Sequence, residues 1–366
     1  MGIGVEKTTW DLAKRVFHDA MEVNGPERDR VLREACGNDA VLLAQVEGLL
    51  EAHDRAGDFL GEVTVSPVDG GDPILLDPQP PTAAGPDDRY LALQAHLAGR
   101  YSFEGELGRG GMGVVYLARD VSLDRPVAIK LLARDLGGRA EARERFLQEA
   151  RTAARLSHPN IVPVHAVEEH DDLLFFVMAF IDGETVRERV ERRGPMAVGE
   201  VSRLLQEVAW ALDYAHGRGV IHRDIKPDNI LLERGTGRAV VTDFGIARAG
   251  LSAGITSEGA LLGTPEYVSP EQALGSEVDG RSDVYSLGVT CFFALTGRLP
   301  FEAESLRGII TKHIHETPPS VSSFRPNVPR KLARVIERCL AKDPEERFDT
   351  GADLGEAIAN ADTPAA

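Results

Sequence analysis

Between Gly108 and Gly245 four short strings follow one another in a set order, and together they restrict the fold more than any other feature of the chain. The glycine-rich run Gly108-Arg109-Gly110-Gly111-Met112-Gly113 comes first, then Val127-Ala128-Ile129-Lys130. His222-Arg223-Asp224 follows, with Asn229 five residues past the aspartate, and Asp243-Phe244-Gly245 closes the series. A glycine run of this spacing has two structural homes. In a dinucleotide fold a helix starts directly after the loop and an acidic residue follows about 20 positions on. Here Val114-Val115-Tyr116-Leu117 follows, which is strand-like, and the next notable polar residue is Lys130. The pattern predicts a glycine loop inside a β-hairpin, where the backbone can approach a phosphate without Cβ interference.

The surrounding periodicity predicts strands over 101–107, 114–119 and 127–132, then a helix from about 140 to 156. A continuous apolar run over 173–180 is consistent with a buried strand. Beyond Asp182-Gly183 helices dominate. Val201, Leu204, Leu205, Val208, Leu212 and Ala215 form one stripe, and 281–296, 330–340 and 351–360 are further helices. Strands first and helices later, with the polar strings at the junction, predict an α+β domain of two lobes over 99–362. The smaller, mainly β lobe with one helix spans about 99–181, and the larger, mainly α lobe about 182–362.

Ahead of it, residues 1–60 read as a small all-α module. Thr8 or Thr9 can cap a helix bearing Trp10, Ala13, Phe17 and Met21 on one face. Asn24-Gly25 stops it and Pro26 opens a second helix with Val31, Leu32 and Ala35. A third offers Val41, Leu42, Val46, Leu49 and Leu50. Residues 61–98, with Pro67, Pro73, Pro78, Pro80, Pro81 and Pro86, read as a Pro/Gly-rich, semi-extended linker. A linker of that kind breaks packing continuity, so removing residues 1–95 is expected to leave the following domain's activity largely unchanged.

A net charge of −17 argues against a chain that grips nucleic acid, which needs a basic face. Cys36, Cys291 and Cys339 are scattered without metal-ligand spacing and read as reduced thiols. The N-terminus lacks a secretory pattern, and Glu6 stands where a myristoylation signal wants Ser or Thr. The most apolar stretch, 284–295, is too short to cross a bilayer. A cytoplasmic chain without a membrane segment is the expectation.

The strings themselves carry chemistry. Lys130 ends an apolar strand, and a buried lysine needs a carboxylate or a phosphate beside it. Glu149, on one helical face with Phe146 and Ala153, is the natural partner. Asp224 can take a proton from an incoming hydroxyl, and Lys226, two residues on, can neutralise developing negative charge. Asn229 and Asp243 offer hard oxygen atoms to Mg²⁺.

Ordered and spaced in this way, the strings resemble the signature set of protein kinases. The resemblance is to the bacterial eukaryotic-like (Hanks-type) Ser/Thr protein kinases with an N-terminal helical extension, over roughly residues 101–360. Lys226-Pro227 after Asp224 carries the Ser/Thr character, since tyrosine kinases usually have Ala or Arg there. The resemblance implies the two-lobed kinase fold and transfer of the γ-phosphoryl of ATP to Ser/Thr hydroxyls of proteins. It also implies Mg²⁺, with Mn²⁺ as an alternative, a signalling role, and autophosphorylation of the activation segment. Leu107, Gly108, Gly110, Gly111, Gly113, Val115, Ala128, Lys130, Met178, Ala179, Ile181 and Leu231 would surround ATP. Among them Val115 and Ala128 would roof the adenine, Leu231 floor it, Met178 act as gatekeeper, and the Ala179 and Ile181 backbone meet its edge. Lys130, oriented by Glu149, would hold the α/β-phosphates.

In the same resemblance Glu271 pairs with Arg347 and Asp283 is a scaffold acid behind the catalytic loop. Thr264 would contact Asp224 and Lys226, while Arg223, helped by Arg248, would bind a phosphate on residues 249–262. Thr256 is the first choice for that phosphate, followed by Ser257 and Ser252. Two residues depart from the family pattern: Ala179 replaces the usual Glu after the gatekeeper, and Ser269 replaces the usual Ala. Protein substrates are the implied partners, with a homodimer for trans-autophosphorylation left open. The competing readings are a pseudokinase scaffold without catalysis and a small-molecule phosphotransferase, whose sequences generally lack the 263–271 segment.

Overall fold

The computed structural model describes Val16, residues 26–36, Val46, and residues 88–110, 113–132, 147–148, 150–170, 173–244 and 265–362. Contacts divide the chain into two units, one holding residues 1–70 with 257–260 and the other the remainder. In the first, helix α1 (Pro26–Cys36) starts at the proline, whose fixed φ suits a first turn. Leu32 and Cys36, four residues apart, are buried, as are Val16 and Val46. Ala35, expected on the buried face, is exposed. The other expected positions of this module lie outside the described residues.

The second unit opens with a correction. Helix α2 (Asp88–Leu97) occupies the last part of the expected linker. No proline follows Pro86 before residue 98, and Tyr90, Leu93 and Leu97 share one helical face. Leu93 and Leu97 are fully buried against the sheet described next, with Tyr90 packed at their edge. Residues 61–87 lie outside the described residues. Removal of residues 1–95 therefore cuts inside α2 and takes Leu93 from the core. We expect a chain starting at residue 88 to keep its melting temperature, whereas Leu93→Ala costs about 2–5 kcal/mol. Thermal unfolding of the two proteins checks this, and an unchanged midpoint for Leu93→Ala would show that α2 is not part of the core.

Five antiparallel strands follow, β1 (Tyr101–Gly110), β2 (Gly113–Asp120), β3 (Arg125–Leu132), β4 (Val164–His170) and β5 (Leu173–Ala179). Their order in the sheet is β1-β2-β3-β5-β4. The period of two assigns the faces. Val114, Tyr116, Ala118, Val127, Ile129 and Leu131 join Phe175 and Val177 under α2. The alternate positions, Val115, Ala128 and Lys130, belong to the other face, with Val115 opposite Lys130 and Ala128 opposite Met178. Both faces of β3 are covered, which is why Val127–Leu132 reads as an unbroken buried run.

A small three-stranded sheet and a helical lobe complete the chain. Strand β6 (Gly183–Thr185) leads into α3 (Val186–Arg193) and α4 (Val198–His216), and β7 (Ile230–Glu233) and β8 (Ala239–Val241) pair beside β6. Then come α5 (Pro270–Leu274), α6 (Gly280–Thr296), α7 (Leu306–His315), α8 (Val321–Phe324), α9 (Arg330–Cys339) and α10 (Gly351–Asp362). The expected α4 stripe is buried at all six positions. Helix α6 is buried without a break from Ser282 to Leu295, so it forms the axis of this lobe. At the foot of α10, a Cβ on Gly351 would lie 2.2 Å from the Ala209 carbonyl oxygen, so only glycine allows α10 to approach α4 this closely. The architecture is the expected one: an antiparallel sheet lobe joined to a helical lobe.

Candidate active site

The site lies where β1, β2, β3 and β5 meet the loops around β7 and β8. Gly108 and Gly110 end β1 and Gly113 begins β2, so the glycine run does form a hairpin; Gly111 and Met112 lie outside the described residues. Gly113 has φ +137°, and a Cβ there would sit 2.0 Å from the Leu131 carbonyl oxygen. The sheet itself demands that glycine. At Gly108 and Gly110 a Cβ would meet nothing within 4 Å, so protein packing does not explain them.

Below the hairpin, Ala128, Val162, Met178 and Val240 form one apolar cluster, edged by Leu107, Val115, Val164, Ala179, Ile181 and Leu231. All seven apolar residues expected around ATP meet here. Sequence reasoning missed Val162, Val164 and Val240, which carry no motif and join only through tertiary pairing. The Ala179 N–H donates to the Pro163 carbonyl (2.9 Å), an interaction that needs no Glu side chain at that position. Thr242 Oγ1 lies 4.0 Å from Met178 Sδ, tying the approach to Asp243 to the same cluster.

Lys130 is buried on β3, and its Nζ donates to Asp243 Oδ2 at 2.6 Å. The expected partner Glu149 lies outside the described residues, so the carboxylate found beside this lysine is Asp243. The other oxygen of Asp243, Oδ1, is buried and has no hydrogen-bond partner among the described residues.

The loop after α4 hangs from Asp283 in the first turn of α6. This carboxylate accepts the His222 amide (Oδ2, 2.8 Å) and the Arg223 amide (Oδ1, 2.7 Å), and it faces His216 Nε2 at 2.8 Å. Burial pushes its pKa up, but the His216 bond and the surrounding donors prevail and hold it below the ordinary aspartate value. Asp283 thus acts as the expected scaffold acid. The His222 ring faces the Thr242 carbonyl through Nε2 (2.8 Å) and accepts the Asp224 amide at Nδ1 (3.2 Å), which fixes the neutral Nε2–H tautomer. Asn229 donates its amide group to the Asp224 carbonyl (2.8 Å) and to Asp224 Oδ2 (3.1 Å). Lys226 Nζ lies 3.0 Å from the same Oδ2.

Two residues here have left-handed backbones, Arg223 (φ +66°) and Asp243 (φ +64°). A non-glycine residue held there costs about 1–3 kcal/mol and persists only when its surroundings enforce it. At Arg223 they do: Asp283 holds its N–H, and Gln272 Nε2 donates to its carbonyl at 2.9 Å. Gln272 is also the fourth residue of a capping box whose first is Ser269. The Ser269 hydroxyl accepts from the Gln272 amide (3.3 Å), and Gln272 Oε1 accepts from the Ser269 amide (3.1 Å). The departure from Ala at 269 therefore supplies the N-cap of α5. Gln272 and His216 are supporting residues that no sequence motif announced. Glu271 pairs with Arg347 as expected, and Thr264, Arg248, Thr256, Ser257 and Ser252 lie outside the described residues.

With this geometry established, comparison with known proteins is informative. The family model described as "Protein kinase domain" matches residues 101–354. The chain is 41% identical over 264 residues to the serine/threonine-protein kinase PrkC of Bacillus subtilis, covering 72% of this chain and 41% of that protein. It is 44% identical over 266 residues to the serine/threonine-protein kinase PknJ of Mycobacterium tuberculosis, covering 71% of this chain and 45% of that protein. It thus spans less than half the length of these curated relatives. Among solved structures, the Mycobacterium tuberculosis PknI kinase domain superposes with a TM-score of 0.59 at 33% identity, covering 72% of this chain and 96% of that domain. A match over more than half of the chain, on a sheet-and-helix fold with all four strings in place, makes this chain a member of the protein kinase family.

Proposed function

We propose that this chain is an ATP-dependent protein serine/threonine kinase that phosphorylates Ser/Thr hydroxyls of proteins and its own activation segment. The observation that carries the proposal is the polar constellation: Asp224 is fixed by Asn229 and Lys226, and the Lys130–Asp243 pair stands beside an apolar cluster. Phosphoryl transfer asks mainly for positioning and charge stabilisation, and each of these residues serves one of them.

The residues present fit a divalent cation. Asp243 Oδ1 is a buried carboxylate oxygen without a partner among the described residues, and Asn229, whose amide nitrogen is bound to Asp224, has its carboxamide oxygen to offer. These two residues would hold Mg²⁺ or Mn²⁺, which when bound neutralises charge on the phosphate oxygens. Leu107, Val115, Ala128, Met178, Ala179, Ile181 and Leu231 would enclose the adenine, excluding water from its faces. The open space above Gly108 and Gly110 leaves room for phosphate against the backbone. Lys130 carries the positive charge for that phosphate, with Glu149 proposed to orient it. Asp224 orients the substrate hydroxyl and takes its proton, and Lys226 stabilises charge on the group in transfer. No observation favours a scaffold without catalysis.

We further propose protein substrates, a homodimer for phosphorylation in trans, no nucleic-acid partner and a cytoplasmic setting. Supporting the last, all three cysteines are buried, and Cys291 and Cys339 in the helical lobe are in no disulfide. Among the described residues no helix is long and apolar enough to cross a membrane. Purified chain incubated with ATP and Mg²⁺ should phosphorylate itself on Ser or Thr, with sites between Ser252 and Thr264 found by mass spectrometry. The Asp224→Ala protein should carry none. Phosphate confined to tyrosine, or equal phosphate in the Asp224→Ala protein, would refute the reading.

A further inference from the structure

Arg187, in the first turn of α3, joins two segments that both lead to Asp224. Its Nε donates to Asp228 Oδ1 at 2.7 Å and its Nη2 to the Tyr267 hydroxyl at 3.2 Å. Asp228 is the middle residue of the 3₁₀ turn Pro227–Asn229, directly before the asparagine that holds Asp224. Tyr267 ends the turn Pro265–Tyr267, where the described chain resumes after residue 244. The guanidinium also lies over the rings of Tyr267 (5.9 Å) and Phe293 (5.5 Å), and it makes a looser 3.6 Å pair with Glu191 within α3.

Each end of the bridge is rooted independently. The Tyr267 carbonyl accepts from Ser286 Oγ at 2.8 Å, and the Glu266 carbonyl faces His313 Nε2 at 3.0 Å, so this turn is fastened to α6 and α7. Asp228 moves with the catalytic loop, which hangs from Asp283. Arg187 thus joins the loop that carries Asp224 to the segment after the activation loop. It also changes the charge of that approach. The Asp228 side chain is 40% exposed and four residues from Asp224, so a free carboxylate there would attract basic side chains of a substrate. The Arg187 guanidinium, through its Nε bond to Oδ1, offsets that charge.

We propose that Arg187 is a positioning residue for protein phosphorylation, registering the catalytic loop against the segment after the activation loop and withdrawing the Asp228 charge from the substrate. The proposal rests on the kinase reading above. Its test uses the full chain, saturating ATP and two peptides that differ only in having neutral or arginine residues around one serine. Arg187→Gln should lower kcat on the neutral peptide about tenfold, the scale of one charge-assisted hydrogen bond, while the KM for ATP stays within about twofold. It should also shift kcat/KM about three- to fivefold toward the arginine peptide, as an exposed ion pair does. Arg187→Gln with Asp228→Asn should keep the low kcat and lose the shift.

Tyr267→Phe, which removes one hydroxyl, should lower kcat less and leave the preference unchanged. Should Arg187→Gln fail to fold, Tyr267→Phe and Asp228→Asn still decide, because wild-type kcat in both overturns the proposal. So does an Arg187→Gln protein with wild-type kcat or wild-type preference, or a shift that survives in the double variant. Asp224→Asn run in parallel separates the two readings: activity surviving there sinks the kinase, whatever the Arg187 variants do.

Discussion

Asp224→Ala should lower phosphate transfer from ATP by at least about 10³-fold and leave the unfolding temperature nearly unchanged. Among the described residues the partners of the Asp224 side chain are Lys226 and the Asn229 amide group, and Asn229 keeps its bond to the Asp224 carbonyl in the variant. Asp243→Ala should abolish transfer equally but should not leave the protein intact. It strands the buried Lys130 ammonium, whose partner among the described residues is Asp243. Breaking a buried pair by removing one member costs about 3–5 kcal/mol, whereas removing both charges costs far less. Adding Lys130→Met to Asp243→Ala should therefore recover stability without recovering activity. Radiolabel transfer and denaturant unfolding on the three proteins check it. Retained transfer in Asp224→Ala, or a double variant no more stable than Asp243→Ala alone, would contradict the assignment.

That contrast marks how far the sequence could be read. Asp224, Asn229 and Asp243 were legible because three polar residues at fixed spacing have few reasons to recur together. The strands were legible because β2 alternates and β3 does not, and each pattern corresponds to one or two covered faces. Pairing across the chain was less legible. Lys130 was expected to need a carboxylate, but the one at 2.6 Å lies 113 residues away, and no local pattern specifies that distance in sequence. Val162 and Val240 line the apolar slot only because the segment before β4 bridges to β8, where the Val162 N–H donates to the Val241 carbonyl at 2.9 Å.

Helix α2 was missed for a different reason. Its ten residues follow a proline-rich stretch, and composition averaged over the whole segment hid the Tyr90, Leu93 and Leu97 face. Departures from the family pattern were visible as letters without meaning. Ser269 gains its meaning from φ −75° and ψ 155°, the extended geometry of an N-cap, and from Gln272 three residues on. The same glutamine holds the Arg223 carbonyl, so a capping choice on α5 bears on the catalytic loop.

Removing either member of the Glu271–Arg347 pair should be the most destabilising single change in the helical lobe. Arg347 is fully buried, and its guanidinium is saturated. Nη1 donates to Glu271 Oε1 (2.7 Å) and the Arg281 carbonyl (3.0 Å), Nη2 to Glu271 Oε2 (2.8 Å) and the Lys342 carbonyl (3.0 Å), and Nε to the Ala341 carbonyl (2.8 Å). Glu271 also accepts from Ser282 Oγ. Glu271→Ala leaves a buried guanidinium without its counter-charge and should cost about 3–5 kcal/mol, while Glu271→Leu with Arg347→Met should cost less. Because Glu271 and Gln272 share α5, the single variant should also loosen the Arg223 carbonyl and lower transfer at temperatures where the protein is still folded. Acid gives an independent check. Burial pushes the Glu271 pKa up, but the Arg347 fork outweighs it and holds the group below its ordinary value. A depressed folded pKa means the contribution is complete above the unfolded pKa of about 4.3 and is lost as pH falls further. Unfolding free energy should fall more steeply below about pH 4.3 in the wild type than in the Leu/Met double variant. Parallel curves for the two, or a Glu271→Ala protein of wild-type stability, would show that this pair does not hold α5 in place.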